Sequence, residues 1–347
     1  MMYTKLTTDQ INYLNIGLMI ASCLLSYVFP FELFLFSYAV LGPLHYLTEI
    51  SWLHDRNYFI EARRARQVRA RRAWLILVAV TLAVMLYGFV VEKLLKQRAT
   101  PVWEIALFYL VFVTAALFMF SRRRAAGVTV VVLSLILLAF VSESRYYALV
   151  AFFLITIIHV LIFTGAFILF GALKSRSRSG VLSLAVFVVC MASFFIYTPA
   201  ALGHTLGEYV KNSYGSFQTL NAELIKLFRL GAGTSLSEIY ESSTGLIIMR
   251  LIAFAYTYHY LNWFSKTSII KWHEIPKRRS AMIIGLWLAA LVLYGFSYQA
   301  GMMALYFLSV LHVMLEFPLD HYTFAGIGKE LYALARPETS HNPRFAR

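Results

Sequence analysis

The chain has 347 residues, of which 60% are hydrophobic, 16% aromatic and only 14% charged, with a formal net charge of +14. This balance excludes an ordinary soluble domain and predicts an all-α, polytopic transmembrane bundle of about ten helices. Two cysteines, Cys23 and Cys190, both lie in apolar segments, so no disulfide framework or C-x-x-C motif is available.

The first apolar run, Ile11 to Phe31, is long for a signal-peptide core, follows Asp9 and has no small-residue cleavage site after it. It reads as an uncleaved first helix. The predicted spans cover about 11–30, 32–53, 73–91, 102–120, 126–141, 147–172, 181–202, 244–264, 281–298 and 300–317, a bilayer crossing taking roughly 20 apolar residues. Basic residues follow the even-numbered spans: Arg56 and Arg63 to Arg72, Arg122 to Arg124, Lys174 to Arg178, and Lys266 to Arg279. The odd-numbered exits are poorer, apart from Lys93, Lys96 and Arg98. By the positive-inside rule both termini and the even-numbered exits are cytoplasmic, as in a bacterial inner membrane protein. The same rule accounts for the positive charge without nucleic acid. The Arg63 to Arg72 run suits contact with anionic lipid heads.

The longest stretch between spans, 203–243, contains Gly203, Gly207, Gly215, Gly231 and Gly233 and is expected outside. Within it Asn221 to Leu230 has apolar residues at helical spacing with charges between, which predicts a helix lying on the membrane surface. The transmembrane domain is thus expected over 1–322, with a cytoplasmic tail over 323–347.

Against this background a pattern of metal-ligand side chains occurs twice. His45, Glu49 and His54 read H-x3-E-x4-H, and so do His312, Glu316 and His321. On a helix, residues four apart differ by about 40° in azimuth, so each His-Glu pair can face one ion. The third member falls about 140° away unless the helix ends or bends first. Pro318 is expected to supply that break before His321, and Asp55 and Asp320 suit a helix exit or a supporting role beside the ligands. Spans two, six, eight and ten run in the same direction, which brings His259 and the nearby His273 to the same membrane face as the two triplets. His159, near the middle of span six, is expected deeper. A carboxylate on a membrane helix costs about 2.5 kcal/mol or more at mid-depth and is usually functional, so Glu49 and Glu316 are the candidate catalytic residues.

Imidazole and carboxylate without thiolate suit iron, with zinc as the second choice, and the number of candidates allows one or two ions. Such a site within a membrane fits a hydrophobic or lipid substrate and dioxygen. Gly42-Pro43-Leu44-His45 and His259-Tyr260-Leu261-Asn262-Trp263-Phe264, on a nearly all-helical membrane chain, resemble the histidine-rich membrane oxygenases, most of all the Brp/Blh β-carotene 15,15'-dioxygenases. The resemblance implies iron, dioxygen and an isoprenoid or acyl substrate. The chain departs from that family in having Glu49 and Glu316 where an H-x3-H spacing would place histidine, and it lacks the H-x2-H-H boxes of membrane desaturases. A proton- or metal-coupled transporter, a zinc-dependent lipid hydrolase and a structural scaffold are the alternative readings.

Overall fold

The computed structural model describes residues 6–56, 153–199, 206–233, 235–266 and 275–335, with scattered positions between 75 and 115. Among the described residues all regular structure is helical and there is no strand. Most of the third and fourth predicted spans, all of the fifth, the start of the sixth, the Arg63 to Arg72 run, His273 and the tail beyond Ala335 lie outside the described residues.

Helix starts follow from local chemistry. α1 (Thr8–Val28) opens on a capping box in which Thr7 and Gln10 satisfy each other's backbone N–H. Pro30, at a position where a missing N–H costs nothing, starts α2 (Pro30–Phe36). A π-helical turn, Ser37–Leu41, joins it to α3 (Gly42–Arg56). A second π segment, Leu154–Phe163, leads into α4 (Thr164–Ser175), which ends on Arg176 in the left-handed conformation. Ser177 and Ser242 cap α5 (Arg178–Ile196) and α9 (Ser243–Ser265). Between these two lie α6 (Glu208–Tyr214), α7 (Gln218–Leu227) and α8 (Leu236–Tyr240). α10 (Lys277–Phe296) and α11 (Tyr298–Ala335) complete the described chain.

Among the described residues six helices are long and apolar enough to cross a membrane: α1, the continuous run Pro30–Asp55, Leu154–Ser175, α5, α10 and α11. α9 is not among them, yet every residue from Ile247 to Tyr260 is buried. It is the central helix, packed by α1, α2, α3, α5 and α7 and by both π segments. A helix surrounded by protein need not present an apolar face to lipid, so it can carry Arg250, Thr257, His259 and Asn262.

The contacts fix the helix directions. α1 runs against α9, since Asn15 accepts from Tyr258 and Ser265 while Tyr27 packs under Arg250. It runs along α5, with Asn12 bonded to Ser177 and Ser179 at one end and Tyr27 bonded to Ser193 at the other. Arg279 meets Asp55 and Trp287 meets the carbonyl of Val40, so α10 opposes α3. Phe170 packs on Tyr322 and Arg176 pairs with Glu330, so α4 and α11 run together. Ser37 meets Thr257 and Trp263 donates to Thr48, while Tyr46 clusters with Leu308 and Trp52 with Leu315, so α3, α4, α9 and α11 run parallel, as their expected even-numbered spans require. The two cysteines are free and buried in one cluster with Met19, Phe194 and Phe254, where they pack.

Two local expectations are corrected. α11 passes through Pro318 as one helix of 38 residues, about 57 Å long at 1.5 Å per residue. A proline removes one N–H, and neighbouring turns inside a packed bundle hold the helix across it. Residues 323–335 belong to this same helix, in line with the short helix expected at the start of the tail. The helix expected at the membrane surface is α7, whose Leu220, Leu224 and Ile225 join Phe31, Tyr214, Ile248 and Met249 in one core. Its apolar face therefore meets protein, because the ends of α2 and α9 offer an apolar platform to cover.

Candidate metal centre

Each histidine of the centre is set in place by the helix that bears it. Ser37, in the first π turn, shares a 2.8 Å hydrogen bond with Thr257, which pins the entry of α3 to α9. At Gly42 a Cβ would lie 3.3 Å from the hydroxyl oxygen of Tyr260, so glycine allows the close approach. Three residues later His45 meets His259, their Nε2 atoms 3.1 Å apart. The second π segment carries His159, whose ring centroid lies 4.8 Å from that of His259 and 5.2 Å from that of His312 on α11. Short π segments inside α-helices are found disproportionately at functional sites, and here they occur on two of the four helices that supply histidines.

The result is a group of four imidazoles, His45, His159, His259 and His312, in which one ring nitrogen of each lies within 4.8 Å of the others. All four are buried, the most accessible at 6%. On His259, Nδ1 is held 2.9 Å from the hydroxyl of Thr164, which directs Nε2 into the group. Nδ1 of His45 and both nitrogens of His159 and His312 have no hydrogen-bond partner among the described residues. Buried polar atoms are normally satisfied, so converging imidazoles without partners fit a bound cation. Trp263 packs edge-on to His45 and donates to Thr48 at 3.0 Å, and Tyr260 and Tyr46 lie against His45 and His312.

The carboxylates of the two triplets adjoin this group. Glu49 places Oε2 3.0 Å from Nε2 of His45, and Glu316 places Oε2 3.3 Å from Nδ1 of His159. Asp320, one turn beyond Glu316, is 1% exposed, and neither of its carboxylate oxygens has a hydrogen-bond partner among the described residues.

Of the predicted ligands, the structure brings together His45, Glu49, His159, His259, His312 and Glu316. His159, expected deeper, stands level with the other three histidines. The last member of each triplet lies elsewhere. The side chain of His54 is 56% exposed, beside Asp55, which pairs with Arg279. His321 points away from the group, its Nε2 2.9 Å from the carbonyl of Phe112 and its ring tilted against that of Phe112. With no break at Pro318, the offset of about 140° stands. The group also sits inside the helices and not at their ends, since α9 continues to Ser265 and α11 to Ala335. Thr164 was not singled out in the sequence, and no signal marks a threonine so far from its partner in the chain. Asp320 did carry a signal: with His312 and Glu316 it continues the every-fourth-residue stripe of one helix face.

No protein-family model, curated protein or solved structure matches the chain. The donor set itself favours a first-row transition metal: imidazoles with adjacent carboxylates and no thiolate suit iron, zinc or manganese.

Proposed function

We propose that this chain is an integral membrane metalloenzyme of about ten helices, an oxygenase that acts on a hydrophobic isoprenoid or acyl substrate with dioxygen. The observation that carries the reading is the buried four-histidine group with carboxylates beside it, enclosed by apolar helices. His45, His159, His259 and His312 would hold the metal, which supplies the oxidation chemistry when bound, and iron is the metal that the ligand types and the proposed reaction favour. Thr164 orients one ligand, Glu49 and Glu316 are placed to take up or release protons beside the reacting atoms, and Tyr46, Tyr260 and Trp263 give the substrate an aromatic wall. Burial keeps bulk water from the site.

The resemblance to the Brp/Blh membrane oxygenases supports the same reaction class. A transporter would need a polar path across the membrane. Between the histidines and the outer helices the described packing is instead aromatic, through Tyr260, Tyr256, Phe34 and Tyr214. We place the chain in the bacterial inner membrane with both termini cytoplasmic, which puts α6, α7 and α8 outside.

The test is anaerobic purification in detergent, metal analysis, and dioxygen uptake with carotenoid and fatty acyl substrates. Bound iron with substrate-dependent uptake is expected. Zinc with no uptake, and hydrolysis of a lipid ester or amide, would replace this reading.

A further inference from the structure

The only two cysteines of the chain lie on different helices, and the way α1 runs along α5 brings them level. Near the start of that contact Asn12 donates to Ser179, 167 positions on, and near its end Tyr27 donates to Ser193, 166 positions on. Parallel helices that both rise 1.5 Å per residue keep one offset along their shared length. Cys190 follows Cys23 by this same offset, so the two thiols stand at one level of the interface.

They also share its face. Cys23 is four residues from Tyr27 and Cys190 three from Ser193, so each pair lies on one side of its helix. Sγ of Cys23 is 3.8 Å from the Ser193 hydroxyl, which in turn donates to the carbonyl of Cys190 at 2.7 Å. Cysteine and serine at the contact let two membrane helices approach closely, as a disulfide between them requires. Packing explains either cysteine taken singly, since a buried thiol is a small apolar side chain. It gives no reason for the only two in the chain to meet across helices.

Access to the pair is from the apolar side. The cysteines are buried, and their chain neighbours Leu24, Val188 and Val189 are exposed on the outer surface of the bundle. In a membrane that surface meets acyl chains, so a lipid-soluble reagent comes within one side chain of the thiols while reagents in water are held off.

We propose that Cys23 and Cys190 are a redox-active pair, which a lipid-soluble two-electron oxidant converts into a disulfide fastening α1 to α5. Two S–H bonds break and one S–S bond forms, releasing two protons and two electrons. A quinone takes these up as the quinol. An acyl hydroperoxide takes them up as alcohol and water, by way of a sulfenic acid on one cysteine from which the other thiol displaces water. The fastened helices form the wall against which Leu251, Phe254 and Tyr258 of α9 pack. This pair is independent of the metal reading of the histidines.

The test uses the full chain in lipid vesicles, reduced with dithiothreitol, desalted, and exposed separately to cumene hydroperoxide, a decyl-substituted benzoquinone and hydrogen peroxide. Free thiols and peptides mapped without reduction are followed by mass spectrometry. Loss of both thiols, with one Cys23–Cys190 link inside the chain that dithiothreitol reverses, is expected with at least one of the two lipid-soluble oxidants and sooner than with hydrogen peroxide. Whichever of the two acts identifies the oxidant class. Two free thiols after both lipid-soluble oxidants, links only between separate chains, or linkage at least as fast with hydrogen peroxide would overturn the proposal. The wild-type chain decides the result by itself, so the conclusion does not depend on a variant folding.

Discussion

Nε2 of His45 and Nε2 of His259 lie 3.1 Å apart, although the residues are separated by 214 positions in the chain. As neutral tautomers the pair can share one Nε2–H···Nε2 hydrogen bond, but that leaves the nitrogens of His159 and His312 unanswered, and a cation held by all four imidazoles would satisfy them together. His45→Ala, His259→Ala and His312→Ala should each purify as folded protein with strongly reduced metal, read by elemental analysis against size-exclusion profile. Full metal content in all three would remove the four-histidine group from consideration.

Thr164 makes a finer prediction. Its hydroxyl touches the nitrogen of His259 that faces away from the group, and such supporting contacts are typically worth 10–100-fold in metal affinity. Thr164→Val should weaken competitive metal binding by about that factor. Thr164→Ser, which keeps the hydroxyl, should restore it. Equal affinities in the three proteins would mean that packing alone orients His259.

The helical class and the histidines were legible in the sequence because both depend on one-dimensional signals: apolar run length, and ligand types repeating at four-residue spacing. The outer members of the triplets were misleading for a reason of the same kind. A break at Pro318 was needed to turn His321 inward, and proline in a packed helix interior does not guarantee one. α9 lies at the other extreme: its stretch reads as a span in the sequence, yet the helix buried from Ile247 to Tyr260 carries polar residues and is not among those apolar enough to cross a membrane. The Thr164 to His259 contact depends on how two distant helices meet, and no local pattern encodes that.

Packing at the start of α9 gives a stability prediction. A Cβ at Gly245 would lie 2.2 Å from the carbonyl oxygen of Ile239 and 2.3 Å from that of Glu238, both backbone atoms of α8. Backbone cannot rotate away as a side chain can, so Gly245→Ala must shift α8 against α9. Overpacking of this kind costs about 1–3 kcal/mol. The thermal midpoint in detergent should fall by several degrees, while the metal content of the folded fraction, some distance along α9, stays near wild type. An unchanged midpoint would show that the α8 corner moves freely.

The proposed orientation is tested by labelling in intact cells. Lys226 on α7 and Arg278 on α10 are both exposed and lie on opposite sides of the proposed membrane. An impermeant maleimide should modify Lys226→Cys and spare Arg278→Cys until the cells are opened. The reverse result would invert the topology without altering the parallel course of the four ligand helices, which their contacts fix.

Glu316 gives the most direct test of chemistry. Its carboxylate lies 3.3 Å from His159, is buried, and accepts no hydrogen bond at Oε2 among the described residues, so architecture offers little reason for an acid there. In a purely structural role, removing the charge from the interior would stabilise the protein, or leave it unchanged, and would spare turnover. In the proposed role, Glu316→Ala removes a group that moves protons at the reacting atoms and contacts the metal ligands. Substrate-dependent dioxygen uptake should then fall by at least about 100-fold, the lower range for loss of a positioned acid or base. Size-exclusion and circular dichroism should show a folded protein. Glu316→Gln separates the two functions: the amide keeps the shape but neither carries the proton nor binds a cation comparably, so it should be as inactive as the alanine variant. Wild-type uptake in Glu316→Gln would end the case for a catalytic carboxylate at this position.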